Sequence, residues 1–176
     1  MKKTSTRLLI LFFFLIFLIF TGCERATKQL EPMLFSPGNE YAVGLKIGTF
    51  ETKGTISFDE NGALHFLHAD PNSPLFGMEE VIENGQCTVH FQDITWESDQ
   101  ILPSTARLEE LFECIRTLSP TKIKTDSIRD QTAVRYEFSG EDFLIHFWTD
   151  SATHAPICIE SQWDGLFYQI NFACEM

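Results

Sequence analysis

Across residues 41–172 the chain alternates apolar and polar positions in short runs, the period expected of half-buried strands. Residues 41–50 and 52–58 are rich in β-branched and aromatic side chains, with Ile56 and Phe58 on one side of the second run. Asp59, Glu60, Asn61 and Gly62 then lead into ALHFLHA, and an Asn-Gly between alternating runs is a strong hairpin signal. It recurs at Asn84 and Gly85 between VIE and CTVHF, and as Asp164 and Gly165 between PICIESQW and LFYQINF. A weaker hairpin, Ser139 to Asp142, joins AVRYEF to FLIHFWT. Four hairpins predict an antiparallel meander, because parallel strands need longer crossovers.

The period changes once. Over residues 104–118 Leu108, Leu111, Phe112, Ile115 and Leu118 recur at spacings of three and four, the face of an amphipathic helix. Pro103 and Ser104 supply its start and N-cap, and Ser119 with Pro120 ends it. A lone amphipathic helix in a strand-rich chain most simply covers one sheet face, each large side chain contributing roughly 1.5–3 kcal/mol on burial. The predicted fold is mainly β (α+β): a curved antiparallel sheet or half-barrel of about 8–10 strands with one main covering helix.

The late strands define a continuous apolar face. Val134, Tyr136 and Phe138 share one side of the first, and Phe143, Ile145 and Phe147 one side of the next. Leu166, Tyr168, Ile170 and Phe172 share a side of the last, with Phe167, Gln169 and Asn171 pointing away. Two readings stand: a core packed beneath the helix, or a concave apolar site for a lipid or other hydrophobic ligand, since one helix is narrow for so wide a face. Leu144, His146 and Trp148 make the opposite side partly apolar and predict a second covering element or an interaction surface.

The first residues follow a different rule. Lys2, Lys3 and Arg7 precede thirteen consecutive apolar residues, 8–20, and then Thr21, Gly22 and Cys23. That is the charged, apolar and small-residue order of a secretory signal. As a helix the apolar run spans about 20 Å of a hydrocarbon core of about 30 Å, too short for a stable crossing. Its end, FTGC, resembles the lipobox of bacterial lipoproteins: Thr21, Gly22 and Cys23 match, while Phe20 stands where the family prefers an aliphatic residue. The resemblance implies lipidation of Cys23 and a protein held on the extracytoplasmic side of the cell membrane by acyl chains. It divides the chain into a signal peptide, 1–22, a polar tether, 23–40, and a β domain, 41–176.

Charge narrows the classes. The chain has 13 Lys plus Arg against 25 Asp plus Glu, a net charge of −12, and three of its cations fall in the leader. Nothing supplies the positive field that nucleic-acid binding needs. An anionic domain is likewise repelled by an anionic membrane surface, so the lipid would be what holds it there.

The segments KGTISFDENGALHF and DPNSPLFGMEEVIENGQ, with the order of hairpins and mid-chain helix, resemble the LolA-like lipoprotein carriers over residues 41–176. That resemblance implies an unclosed antiparallel barrel, lined with apolar side chains and lidded by helices, that holds acyl chains. The family has more helices than the one found here.

Catalytic patterns are missing from the sequence. It has no Gly-x-Ser-x-Gly elbow, phosphate-cradling glycine loop or His-Glu-x-x-His helix. His65 and His68 fall on opposite faces of one strand and so read as surface or satisfied histidines, not metal ligands. Asp150, Ser151 and His154 share one polar loop, where the Asp and Ser read as turn caps. Glu79 with Glu80, and Glu109 with Glu110, are adjacent acids that point apart. Beyond Cys23, Cys87, Cys114, Cys158 and Cys174 allow either two disulfides or buried free thiols.

The expectation is a lipid-anchored exported protein that binds a hydrophobic ligand and is not an enzyme, with no cofactor or metal. Its candidate ligand-binding residues are Val134, Tyr136, Phe138, Phe143, Ile145, Phe147, Tyr168, Ile170 and Phe172. The alternative is a protein-interaction or envelope-structural module with a filled core; the sequence names no protein partner.

Overall fold

The fold was analysed in a computed structural model that describes residues 36–98, 105, 107–163 and 165–172. The leader, Cys23, residues 24–35 of the tether, Pro103, Ser104, Asp164 and Cys174 lie outside the described residues. Among the described residues eleven strands and one helix follow in order: β1 (Glu40–Ile47), β2 (Phe50–Phe58), β3 (Leu64–His68), β4 (Glu79–Glu83), β5 (Gln86–Phe91), β6 (Ile94–Ser98), α1 (Leu108–Thr117), β7 (Lys122–Ile128), β8 (Gln131–Ser139), β9 (Phe143–Asp150), β10 (Pro156–Trp163) and β11 (Leu166–Phe172).

All the strands form one antiparallel sheet in the order β6-β5-β4-β3-β2-β1-β11-β10-β9-β8-β7. The expected hairpins are there, and Asn84 (φ 52) and Gly85 (φ 76) adopt the positive φ that a tight two-residue turn requires. The run expected over 41–50 is instead a hairpin of its own: Gly48 turns at φ 57, and Phe50 opens β2 opposite Ile47. The count of eleven lies one above the expected range, and the edge strands β6 and β7 are the two that no alternating run marks. Each is bonded to one neighbour only, and β7 is mostly exposed, so neither carries the apolar alternation that marks a strand buried on a face.

The helix is shorter than its pattern. It starts at Leu108 with Arg107 as N-cap and no side-chain cap. Leu118, expected on its apolar face, is the C-cap in an extended conformation (φ −88, ψ 145) and 41% exposed. Pro120 lacks an N–H and biases its predecessor away from helical geometry, which unwinds the last turn early.

The first and last strands are neighbours at the centre of the sheet, Val43 pairing with Phe172 and Leu45 with Ile170. The two edges are joined by residues 99–121, which contain α1. Strands β4 and β10 stand five places apart, about 24 Å in a flat sheet. Yet Thr105 bonds Glu80 of β4, and Arg107 lies over the Trp163 ring of β10 at 5.7 Å. Two positions so close in the chain reach both strands because the sheet curls about the helix, and the result is an open half-barrel.

Inward positions alternate along every central strand and merge with the helix into one core. Within it Phe66 lies over Gly54, where a Cβ would sit 2.8 Å from Cζ of the ring and 2.5 Å from the Leu67 carbonyl oxygen. A side chain at Gly54 would therefore push β2 away from β3.

Candidate functional site

All nine residues singled out from the late strands meet in the core on the concave face. Tyr136, Phe138, Ile145, Phe147, Tyr168, Ile170 and Phe172 are buried, and Val134 and Phe143 are half-buried against them. Their faces follow from register: Tyr136 opposes Phe147, Phe138 opposes Ile145, and Ile170 opposes Ile159. Leu166, expected in the same row, is 48% exposed, because it opens β11 directly after the turn.

The concave face is wider than those strands. Val43, Leu45 and Ile47 of β1, Ile56 and Phe58 of β2, Leu64 and Phe66 of β3, Ile82 of β4 and Cys87 and Val89 of β5 continue it. In all, eighteen buried apolar side chains come from strands and four, Leu108, Leu111, Phe112 and Ile115, from α1. Phe112 meets Phe58 edge-on at 5.4 Å, and Glu109 accepts a hydrogen bond from Gly85 N at 2.9 Å. At the other end Arg107 caps the stacked rings of Phe143 and Trp163, 4.9 Å apart.

The apolar face runs out to both edges and is uncovered there. Trp96 and Ile94 of β6 oppose Val89 and Phe91, and Ile123 of β7 opposes Tyr136, so all three belong to the concave side. They are 42%, 59% and 40% exposed. Three pockets among the described residues are lined by none of the nine. One of 420 Å³ runs beside Pro37, Glu40, Asp59 and His65, and one of 370 Å³ beside Lys46, Lys53, Asp70 and Gln169. The third, of 40 Å³, lies under α1.

Among the described residues one buried ionisable pair interrupts the concave face, which also carries the buried hydroxyls of Thr52, Thr149 and Ser161. His68 Nε2 lies 2.7 Å from Glu80 Oε1, and both side chains have no exposed surface. The Thr105 hydroxyl donates to Glu80 Oε2 at 2.5 Å, and Thr105 is buried too. The His68 ring packs edge-on against Phe66 at 4.7 Å, and its Nδ1 is buried with no partner. The expected opposition of the two histidines holds, since His65 pairs separately with Glu79 at 2.9 Å in a half-exposed setting. The same division explains the adjacent acids: Glu79 faces outward and Glu80 inward. The buried cluster is what sequence reasoning missed. Its signal was the row Leu64, Phe66, His68 in ALHFLHA, which places an imidazole where the alternation calls for an apolar side chain.

Burial and the negative charge of Glu80 together push the Cys87 thiol up to about 11 from its ordinary 9.0. The folded chain therefore keeps a proton there that the unfolded chain loses, so stability is expected to fall as pH rises between about 9 and 11. Urea unfolding at a series of alkaline pH values reads this, and Cys87→Ala should flatten the decline. Cys114 is raised as well, chiefly by burial. Cys87 and Cys114 are free thiols in this structure.

The convex side has its own small core. Trp148, Ala133, Ile157 and Cys158 cluster under Ile128, while Arg129 of the β7–β8 turn reaches Asn171 on β11. Ile128 at the end of β7 is thus what packs over this side. Leu144 remains 37% exposed. The polar loop after β9 is a capped turn: Asp150 Oδ1 accepts from Ala152 N, Thr153 N and the Thr153 hydroxyl. The hydroxyl partner is thus Thr153, where Ser151 was expected. These bonds hold the Asp150 carboxyl below its ordinary value.

No protein-family profile matches the chain. No curated protein matches it in sequence. Among solved structures it is similar to the lipoprotein LppX of Mycobacterium tuberculosis, at 10% identity and a TM-score of 0.45, over 86% of this chain and 92% of that one. It is also similar to a LolA-superfamily protein of Nitrosomonas europaea, at 10% identity and a TM-score of 0.41, over 86% of this chain and 91% of that one.

Proposed function

We propose that the protein is a lipid-anchored, exported binding protein that holds a hydrophobic ligand, a lipid or acyl chain, between the concave face of the half-barrel and α1. The observation that carries this reading is the mismatch between cover and surface: among the described residues four helical side chains oppose eighteen from the sheet, and the apolar face continues to both edges with Trp96, Ile94 and Ile123 exposed. A sheet built only to form a core would end its inward apolar row where the cover ends. Val134, Tyr136, Phe138, Phe143, Ile145, Phe147, Tyr168, Ile170 and Phe172 are the lining, and α1 shifts to admit the ligand. The role is binding, without catalysis.

Native mass spectrometry of the full chain purified from membranes in detergent, followed by organic extraction, tests it. A stoichiometric hydrophobic adduct is the expected result. A clean unliganded mass that also takes up no added fatty acid or phospholipid would rule the reading out. It would favour an envelope interaction module instead, a reading supported by the burial of seven of the nine lining residues.

The anchor is tested separately. Cys23→Ser is expected to abolish incorporation of labelled palmitate and to release or stall the precursor. Unchanged labelling would remove Cys23 from the proposal while leaving the binding face as it stands.

A further inference from the structure

We propose that the ligand carries a hydroxyl group, seated on Nδ1 of His68. The inference rests on the binding reading above and specifies the chemistry of what the concave face takes. His68 and Glu80 are the buried ionisable pair on that face, joined by the buried hydroxyl of Thr105. Both oxygens of Glu80 are engaged, Oε1 with His68 Nε2 and Oε2 with the Thr105 hydroxyl. Of the ring nitrogens only Nδ1 is left, buried and without a partner. Removing an ionisable pair from water is costly, and an unpaired polar atom beside it adds to that cost. Apolar side chains of similar volume would close this part of the core at lower cost.

The geometry states what Nδ1 asks for. If Nε2–H donates to Glu80 and the ring is neutral, Nδ1 offers a lone pair and needs a donor. If the ring carries both protons, or if Glu80 donates to Nε2, Nδ1–H needs an acceptor. A hydroxyl donates and accepts, so it satisfies Nδ1 wherever the proton lies. Hydrocarbon satisfies neither case. A long-chain alcohol or a glycerolipid with a free hydroxyl has the required chemistry.

The test compares 1-dodecanol with tridecane, which has the same number of heavy atoms, by competition native mass spectrometry on the full chain in detergent. A purely apolar site prefers the alkane, because burying an unpaired hydroxyl is unfavourable. The proposal expects the alcohol to win by about tenfold. Replacing the pair together, His68→Phe with Glu80→Leu, should reverse the order while tridecane still binds; circular dichroism confirms that the variant keeps its sheet. Preference for the alkane in the unaltered protein overturns the hydroxyl site and leaves the binding reading standing. Binding of neither probe overturns both. The comparison in the unaltered protein decides the matter even if the double variant fails to fold.

Discussion

Replacing His68 by leucine is expected to lower the free energy of unfolding by about 3–5 kcal/mol, because it strands the Glu80 carboxyl in the core without its imidazole partner. The loss should not come from the leucine itself, which suits the site. Adding Glu80→Leu removes the stranded group, and the double variant is expected to recover most of the loss, since apolar replacement of a whole buried pair is often neutral or stabilising. Urea unfolding of the two single variants and the double one measures the coupling directly. Additive losses would show that His68 and Glu80 do not act as a pair, against their 2.7 Å contact and complete burial.

Phe138→Ala should be of similar size, about 3–5 kcal/mol. Phe138 is 1% exposed and opposes Ile145 at the heart of the concave face. Truncation removes the transfer energy of the ring and leaves a hollow that the sheet, pinned by hydrogen bonds on both sides of β8, closes only in part. The midpoint of urea unfolding should drop with an unchanged slope. The control is Phe167→Ala, whose ring is 43% exposed and points away from the core; its effect should stay within about 0.5 kcal/mol. Equal losses for the two would mean that the concave face is not where stability is concentrated.

The hairpins and the core row of the late strands are legible in the sequence because both are local. An Asn-Gly turn announces itself through the φ it needs, and Tyr136, Phe138, Ile145 and Phe147 share a face by the period of the strand alone. The edge strands are not legible, since KIKTDSI has one bonded neighbour and a mostly exposed surface, leaving no pattern to mark it. The helix start is blurred for a related reason: apolar spacing shows where a helix can pack, whereas its first turn is set by where the connecting segment lands on β4 and β10.

The buried cluster lies further from what a sequence shows. His65 and His68 look alike in ALHFLHA, as do Glu79 and Glu80 in the next strand. Only the pairing of β3 with β4 decides that one His–Glu couple faces solvent and the other the core. Thr105 joins the inner couple from a segment 25 residues away, through the curl of the sheet. The opposition of faces was legible; the partners were not.

The adjacency of β1 and β11 has a consequence for how the chain is made. Synthesis proceeds from the N-terminus, so β1 to β6 can assemble early, each strand beside the one before it. β1 then waits with one edge bare until residues 166–172 arrive, because that edge belongs to β11, the last strand to be produced. Through most of synthesis the nascent protein therefore carries an unpaired, apolar strand edge of the kind that recruits other chains. The step that ends this exposure joins residues as far apart as Val43 and Phe172, a contact whose closure is slow. Anything that shortens the chain before β11 should thus leave an aggregation-prone fragment rather than a smaller folded protein.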